Sequence, residues 1–238
     1  MEDDMKNTNS TTTERASMSS LRKTSLVAGV FYLLTFVSIP TLSLYSSVRG
    51  PDYILGNGPD TPVIWGAILE MIVALAGIGT AVTLYPVLTK QNKGRAMGFV
   101  GSRVLEAATI YFGIVSLLSI VTLRQAGAGA GALVTGQALA AQYYWSFLFG
   151  QSFIPAINAV LLGSLLYQSR LVPRALPVLG FFGAALLVFA WIGTVSGFLG
   201  QISAASALFA LPIAVWEFSL GIYLVVKGFK PTQITAGM

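Results

Sequence analysis

The sequence contains neither cysteine nor histidine. Without thiols there is no disulfide framework and no cysteine nucleophile. Without imidazole there is no His-ligated zinc, copper or haem, and no Ser–His dyad. Charge is scarce as well. Only 10% of the 238 residues are Asp, Glu, Lys or Arg, against about 25% in a soluble domain. A soluble fold of this length could not cover its surface with so few charges. No Asp lies inside an apolar block, which removes intramembrane aspartyl catalysis. No metal and no cofactor are expected. A carboxylate-only enzyme survives these exclusions, but nothing identifies one.

What remains is apolar: 55% of the residues are hydrophobic and mean hydropathy is +0.74. The apolar residues come in blocks of the length that crosses a bilayer as a helix, about 20 residues. The dyad alternation of a membrane β-barrel is missing. The expected fold is all-α, a polytopic bundle of six transmembrane helices over about 25–45, 63–88, 96–123, 144–167, 176–198 and 204–226.

Residues 1–23 read as a disordered cytoplasmic tail, 24–230 as the membrane domain, and 231–238 as a second cytoplasmic tail. Arg22 and Lys23 ahead of the first block resemble a signal-peptide flank. The block is too long, however, and no small-x-small cleavage site follows it, so it is read as a retained span. The alternating Gly/Ala stretch 126–132 reads as a flexible linker. Pro155 and Pro212 are expected to disturb their helices. Gly193 and Gly197 form a small-xxx-small pattern for close helix packing.

Lys and Arg set the orientation. All of the 14 basic residues except Arg49, Arg103 and Arg124 fall in the N-terminal tail, the turns after the second and fourth spans, and the C-terminus. That predicts N-in, C-in. The net charge of +5 is therefore a topology signal, and nucleic acid is not an expected partner. The expected partners are the lipid bilayer, a second copy of the chain in a homodimer, and a small molecule or proton.

Four charged residues sit inside predicted spans: Glu70, Arg103, Glu106 and Glu217. A charge near the bilayer centre costs about 2.5–3.5 kcal/mol on insertion scales, so such groups face the bundle interior or a polar cavity. At 1.5 Å per residue, Arg103 lies roughly 10 Å from the cytoplasmic ends, with Glu106, Glu217 and Asn158 at roughly 14–15 Å. Arg103 and Glu106 are three apart and share a helix face, which makes them the expected ion pair. Glu70 is roughly 10 Å from the opposite face and has no evident partner. The candidate polar site is therefore Arg103, Glu106, Asn158 and Glu217, with Glu70.

Two functional readings follow: a small proton-coupled permease or channel-like protein, or a non-transporting membrane sensor or scaffold whose polar groups only tie helices together. Interhelical polar contacts of that kind contribute about 0.6–2 kcal/mol.

The stretch Asn158-Ala-Val-Leu-Leu-Gly-Ser-Leu-Leu-Tyr-Gln-Ser-Arg-Leu-Val-Pro-Arg174, with Gly101-Ser-Arg-Val-Leu-Glu106, Trp216-Glu217 and Val226-Lys-Gly228, resembles a bacterial family labelled domain of unknown function 4386. The resemblance covers about Leu21 to Lys230. It implies a multi-pass protein of the bacterial cytoplasmic membrane and no defined activity. One departure stands out. The family often has His-Asp just before the Trp matching Trp145 and Gly-Pro soon after. Here Tyr143 and Tyr144 precede it, and Gly150-Gln151 follow. Chemistry using that His is absent from this chain.

Overall fold

A computed structural model describes residues 19–50 and 52–236 of the chain. Most of the expected N-terminal tail lies outside the described residues. The described part is all-helical. Among the described residues, six helical stretches are long and apolar enough to span a membrane: Ser20–Leu44, Thr61–Leu88, Lys93–Gln125, Gly129–Ser169, Ala175–Val195 and Ala204–Val226. Hydrocarbon offers backbone amides no partner, so each span must satisfy its own, and the helix does so.

Eight α-helices make up these spans. Helix α1 (Ser20–Leu34) starts earlier than the sequence suggests. Ser19 caps it by accepting from the Arg22 N–H at 3.3 Å. The span continues as a 3-10 turn over Thr35–Ser38 and then α2 (Thr41–Leu44), with Pro40 at the junction. Helix α3 covers Thr61–Leu88 and α4 covers Lys93–Gln125. Asn92 caps α4 through its side-chain oxygen, 2.9 Å from the Arg95 N–H, so α4 opens at Lys93 rather than at 96. Helices α5 (Leu133–Gly150), α6 (Ile154–Ser169), α7 (Ala175–Val195) and α8 (Ala204–Val226) complete the chain.

The fourth span is the largest departure from the expected helix over 144–167. Part of the Gly/Ala stretch folds as a 3-10 turn, Gly129–Ala132, and α5 begins at Leu133. The span then breaks at residues 151–153 before α6 resumes. Pro155 explains the break: it has no N–H for the carbonyl four residues back, and its ring crowds that carbonyl. Pro212, expected to act the same way, lies inside an unbroken α8. The other small-residue reading also changes. Helix α7 ends at Val195, so Gly197 lies beyond it at φ 78°. Gly193 packs under Leu199 of its own loop. The close approach of α7 to α8 is made instead at Gly183, where an added Cβ would come within 2.7 Å of the Ile213 backbone nitrogen.

Helix α1 packs against α3 and α8, α3 against α4, α6 against α4 and α7, and α7 against α8. Helix α5 packs mainly on α4. The break thus moves the fourth span sideways. One half of it seals the bundle between α4 and α7, and the other half leaves space between α5 and the α7–α8 pair. The sealed half is filled by Leu84, Leu88, Phe99, Leu162, Leu166 and Leu224, all essentially inaccessible. This end also carries both chain ends of the bundle, since Arg22 at the start of α1 donates to the Leu224 carbonyl (2.9 Å) and the Val225 carbonyl at the end of α8. Those carbonyls have no helical partner of their own. The outward surface is apolar, with Leu75, Phe112, Val115, Phe182 and Phe189 exposed, as a lipid-facing belt requires.

Candidate functional site

Arg103 on α4 is only 3% exposed and is the hub of the interior. Its Nη1 donates to Glu106 Oε2 one turn along α4, at 2.9 Å. Its Nη2 donates to Glu217 Oε1 on α8 at 2.8 Å, and reaches the Tyr32 hydroxyl on α1 at 3.4 Å. The guanidinium also lies near two aromatic rings, 5.5 Å from the Tyr32 centroid and 5.7 Å from that of Phe99. Asn158 on α6 is fully buried and donates from Nδ2 to Glu106 Oε2 at 2.8 Å. Four of the five residues expected from the sequence therefore form one network, drawn from α4, α6 and α8.

The network holds one guanidinium and two carboxylates. Fully ionised, it carries one surplus negative charge. Arg103 Nε and Asn158 Oδ1 are buried without a hydrogen-bond partner among the described residues. Beside the network is a cavity of about 220 Å³, lined by Arg103, Glu106 and Glu217 together with Thr35, Gly77 and Gln151. A second cavity of about 450 Å³ lies against the first and shares Gln151, Leu187 and Ala210 with it. This second cavity runs to Thr194, Gln201, Ser203 and Ser206 in and beside the α7–α8 loop. It occupies the space that α5 leaves open. The two cavities thus share walls between Glu106 and Glu217 on one side and the α7–α8 loop, at the end opposite the chain termini, on the other.

Glu70 on α3 does not join this network. It is 1% exposed, and its carboxylate accepts from three neutral donors: the Tyr45 hydroxyl (3.3 Å), the Tyr143 hydroxyl (3.2 Å) and Gln151 Nε2 (3.2 Å). The Tyr45 and Tyr143 rings meet edge to face at 5.5 Å. Gln151 belongs to both places, since it binds Glu70 and lines both cavities. Sequence reasoning gave Glu70 no partner because all three donors are neutral and lie far away in the chain. Tyr45 stands at the end of the first span expected from the sequence, yet it is buried. Tyr143 and Gln151 are visible in the sequence only as departures from a family pattern. Tyr32 carries no signal beyond a hydroxyl in an apolar block.

A third cluster lies at the start of α3. Asp60 accepts from the Tyr53 hydroxyl at 2.6 Å, from Gln125 Nε2 at 2.9 Å and from the Arg124 guanidinium. Arg124 stacks on the Tyr53 ring at 4.0 Å. Burial works to raise the Asp60 carboxyl, but the hydrogen bonds from Tyr53 and Gln125 and the Arg124 charge outweigh it and hold the group below its usual 3.8. This cluster clamps the 52–60 segment to the end of α4.

Among the described residues, no group of His, Cys, Asp or Glu has the arrangement of a metal site. The family described as Domain of unknown function (DUF4386) matches residues 27–228. No curated protein and no solved structure matches the chain.

Proposed function

The chain belongs to the DUF4386 family and is a multi-pass membrane protein; from that premise we propose that it is a small proton-coupled permease working through Arg103, Glu106 and Glu217. One observation carries the reading: two carboxylates from different helices share one guanidinium on the wall of a cavity. Buried charge is tolerated when it is paired, and here one carboxylate is always in excess. A proton on that carboxylate restores neutrality, and so does a cationic cargo group. The two compete for one position, which is the physical basis of coupling. Glu217, with 16% of its side chain exposed, is the more accessible carboxylate, and Glu106 at 11% is held by both Arg103 and Asn158.

The distribution of Lys and Arg supports an N-in, C-in orientation, in the cytoplasmic membrane of a bacterium. The second cavity then lies toward the outer side, and the packed half around Phe99 and Leu162 closes the inner side. Six spans make a small transporter, and a homodimer is the assembly proposed. The test is proton flux in proteoliposomes containing a pH-sensitive dye. Glu106→Gln and Glu217→Gln abolish the flux; unchanged flux in both rejects their role.

A second reading rests on the same contacts. Through Arg103 the network ties α1, α4, α6 and α8 together, which a non-transporting sensor or scaffold would also use. It requires the same substitutions to lower thermal stability while leaving no flux to lose.

A further inference from the structure

At the end that carries both termini, a basin of about 920 Å³ opens between the α6–α7 turn and the segment after α8. Arg170, Arg174 and Lys230 line it, with Gln91, Gln168 and Thr232 as neutral polar neighbours. Among the described residues, no carboxylate lines it. The acidic residues of the described chain lie elsewhere: Asp52 and Asp60 in the opposite loop, and Glu70, Glu106 and Glu217 within the spans. Three cations therefore share one basin with no carboxylate of the described residues in its walls.

Arg170 adds an independent observation. It ends α6 at φ 57°, in the left-handed region, with its N–H bonded to the Leu166 carbonyl at 3.0 Å. Among the described non-glycine residues it alone has positive φ. Glycine is the usual residue at such a helix end, and a side chain there is strained against the neighbouring carbonyl. Ending the helix does not explain the guanidinium; a ligand for the guanidinium does.

The basin is also built rather than loose. The Lys230 N–H donates to the Leu171 carbonyl at 2.8 Å, which fastens the post-α8 segment to the α6–α7 turn. Leu171 and Val172 are fully buried beneath it. The Arg174 guanidinium stacks on the Tyr167 ring at 4.8 Å, at the end of a span. The Thr232 hydroxyl is buried and donates to nothing among the described residues.

We propose that this basin binds a phosphate-bearing anion, either the phosphodiester of an anionic lipid headgroup or a soluble phosphate. Guanidinium forks match phosphate oxygens in geometry, the Thr232 hydroxyl supplies a further donor, and the end of a span is the depth of lipid headgroups.

The experiment follows the thermal midpoint of the full chain in neutral detergent. It is titrated with phosphatidylglycerol, with phosphatidylcholine, and with inorganic phosphate. Phosphatidylglycerol or inorganic phosphate raises the midpoint, and phosphatidylcholine does not. A rise with inorganic phosphate alone makes a soluble phosphate the ligand; a rise with the anionic lipid alone makes it the headgroup. Arg170→Gly, which relieves the positive φ and so keeps the fold, weakens binding about fivefold, the equivalent of about 1 kcal/mol per cation. Adding Arg174→Gln and Lys230→Gln removes the shift. Lys90→Gln with Lys93→Gln, outside the basin, leaves it. No shift with either anion, or a shift that survives the triple substitution, overturns the proposal.

Discussion

Arg103 and Glu217 are 114 positions apart in the chain and meet at 2.8 Å, closing α4 onto α8. Glu106 takes the other arm of the same guanidinium at 2.9 Å. The arrangement is asymmetric, because the cation is shared and the anions are not.

That asymmetry orders the effects of substitution. Arg103→Gln leaves two carboxylates facing each other without a cation and costs about 3–5 kcal/mol. Glu217→Gln leaves a neutral Arg103–Glu106 pair and costs about 1 kcal/mol, the value of one hydrogen bond. Thermal unfolding of the two purified variants in one detergent gives the comparison. Equal losses would contradict a shared guanidinium.

Two glycines make a matched pair for helix packing. At Gly183 an added Cβ meets the Pro212–Ile213 backbone, which cannot rotate away, so Gly183→Ala destabilises by about 1–3 kcal/mol. At Gly101 nothing lies within 4 Å. Gly101→Ala is therefore neutral, or stabilising by up to about 1 kcal/mol from helix propensity. Melting curves of both variants distinguish a packed interface from a lipid-facing position.

Because the chain has no cysteine, orientation is open to single-cysteine labelling. With both termini inside, Asn57→Cys reacts with an impermeant maleimide in intact cells, and Lys93→Cys reacts only after permeabilisation. The reverse pattern would invert the topology proposed from Lys and Arg.

The Asp60 clamp depends on pH in a defined direction. Its carboxyl is held below the usual 3.8, so the stability it contributes is complete above that value and is lost as pH falls below it. Hydrogen exchange of the 52–60 amides, corrected for intrinsic rate, stays protected at pH 5 and loses protection as pH drops under about 3.8. In Asp60→Asn the protection is low at both pH values.

The sequence by itself determined the all-helical fold, the number of membrane-length spans and the interior position of the charged residues. The reason is local: hydrocarbon requires each span to satisfy its own amides, and the free energy of insertion is summed along the chain. It also showed Arg103 beside Glu106, because a spacing of three on a helix is itself a contact. Only the tertiary structure decided which distant groups meet. Glu70 found Tyr45, Tyr143 and Gln151, and Arg103 found Tyr32 and Glu217, because packing brings together helices whose sequences carry no mark of their neighbours. The break at 151–153 was likewise a tertiary outcome. Proline supplied the local cause at Pro155, yet α8 runs through Pro212 intact. Whether a proline interrupts a span depends on what surrounding helices do with the freed carbonyl.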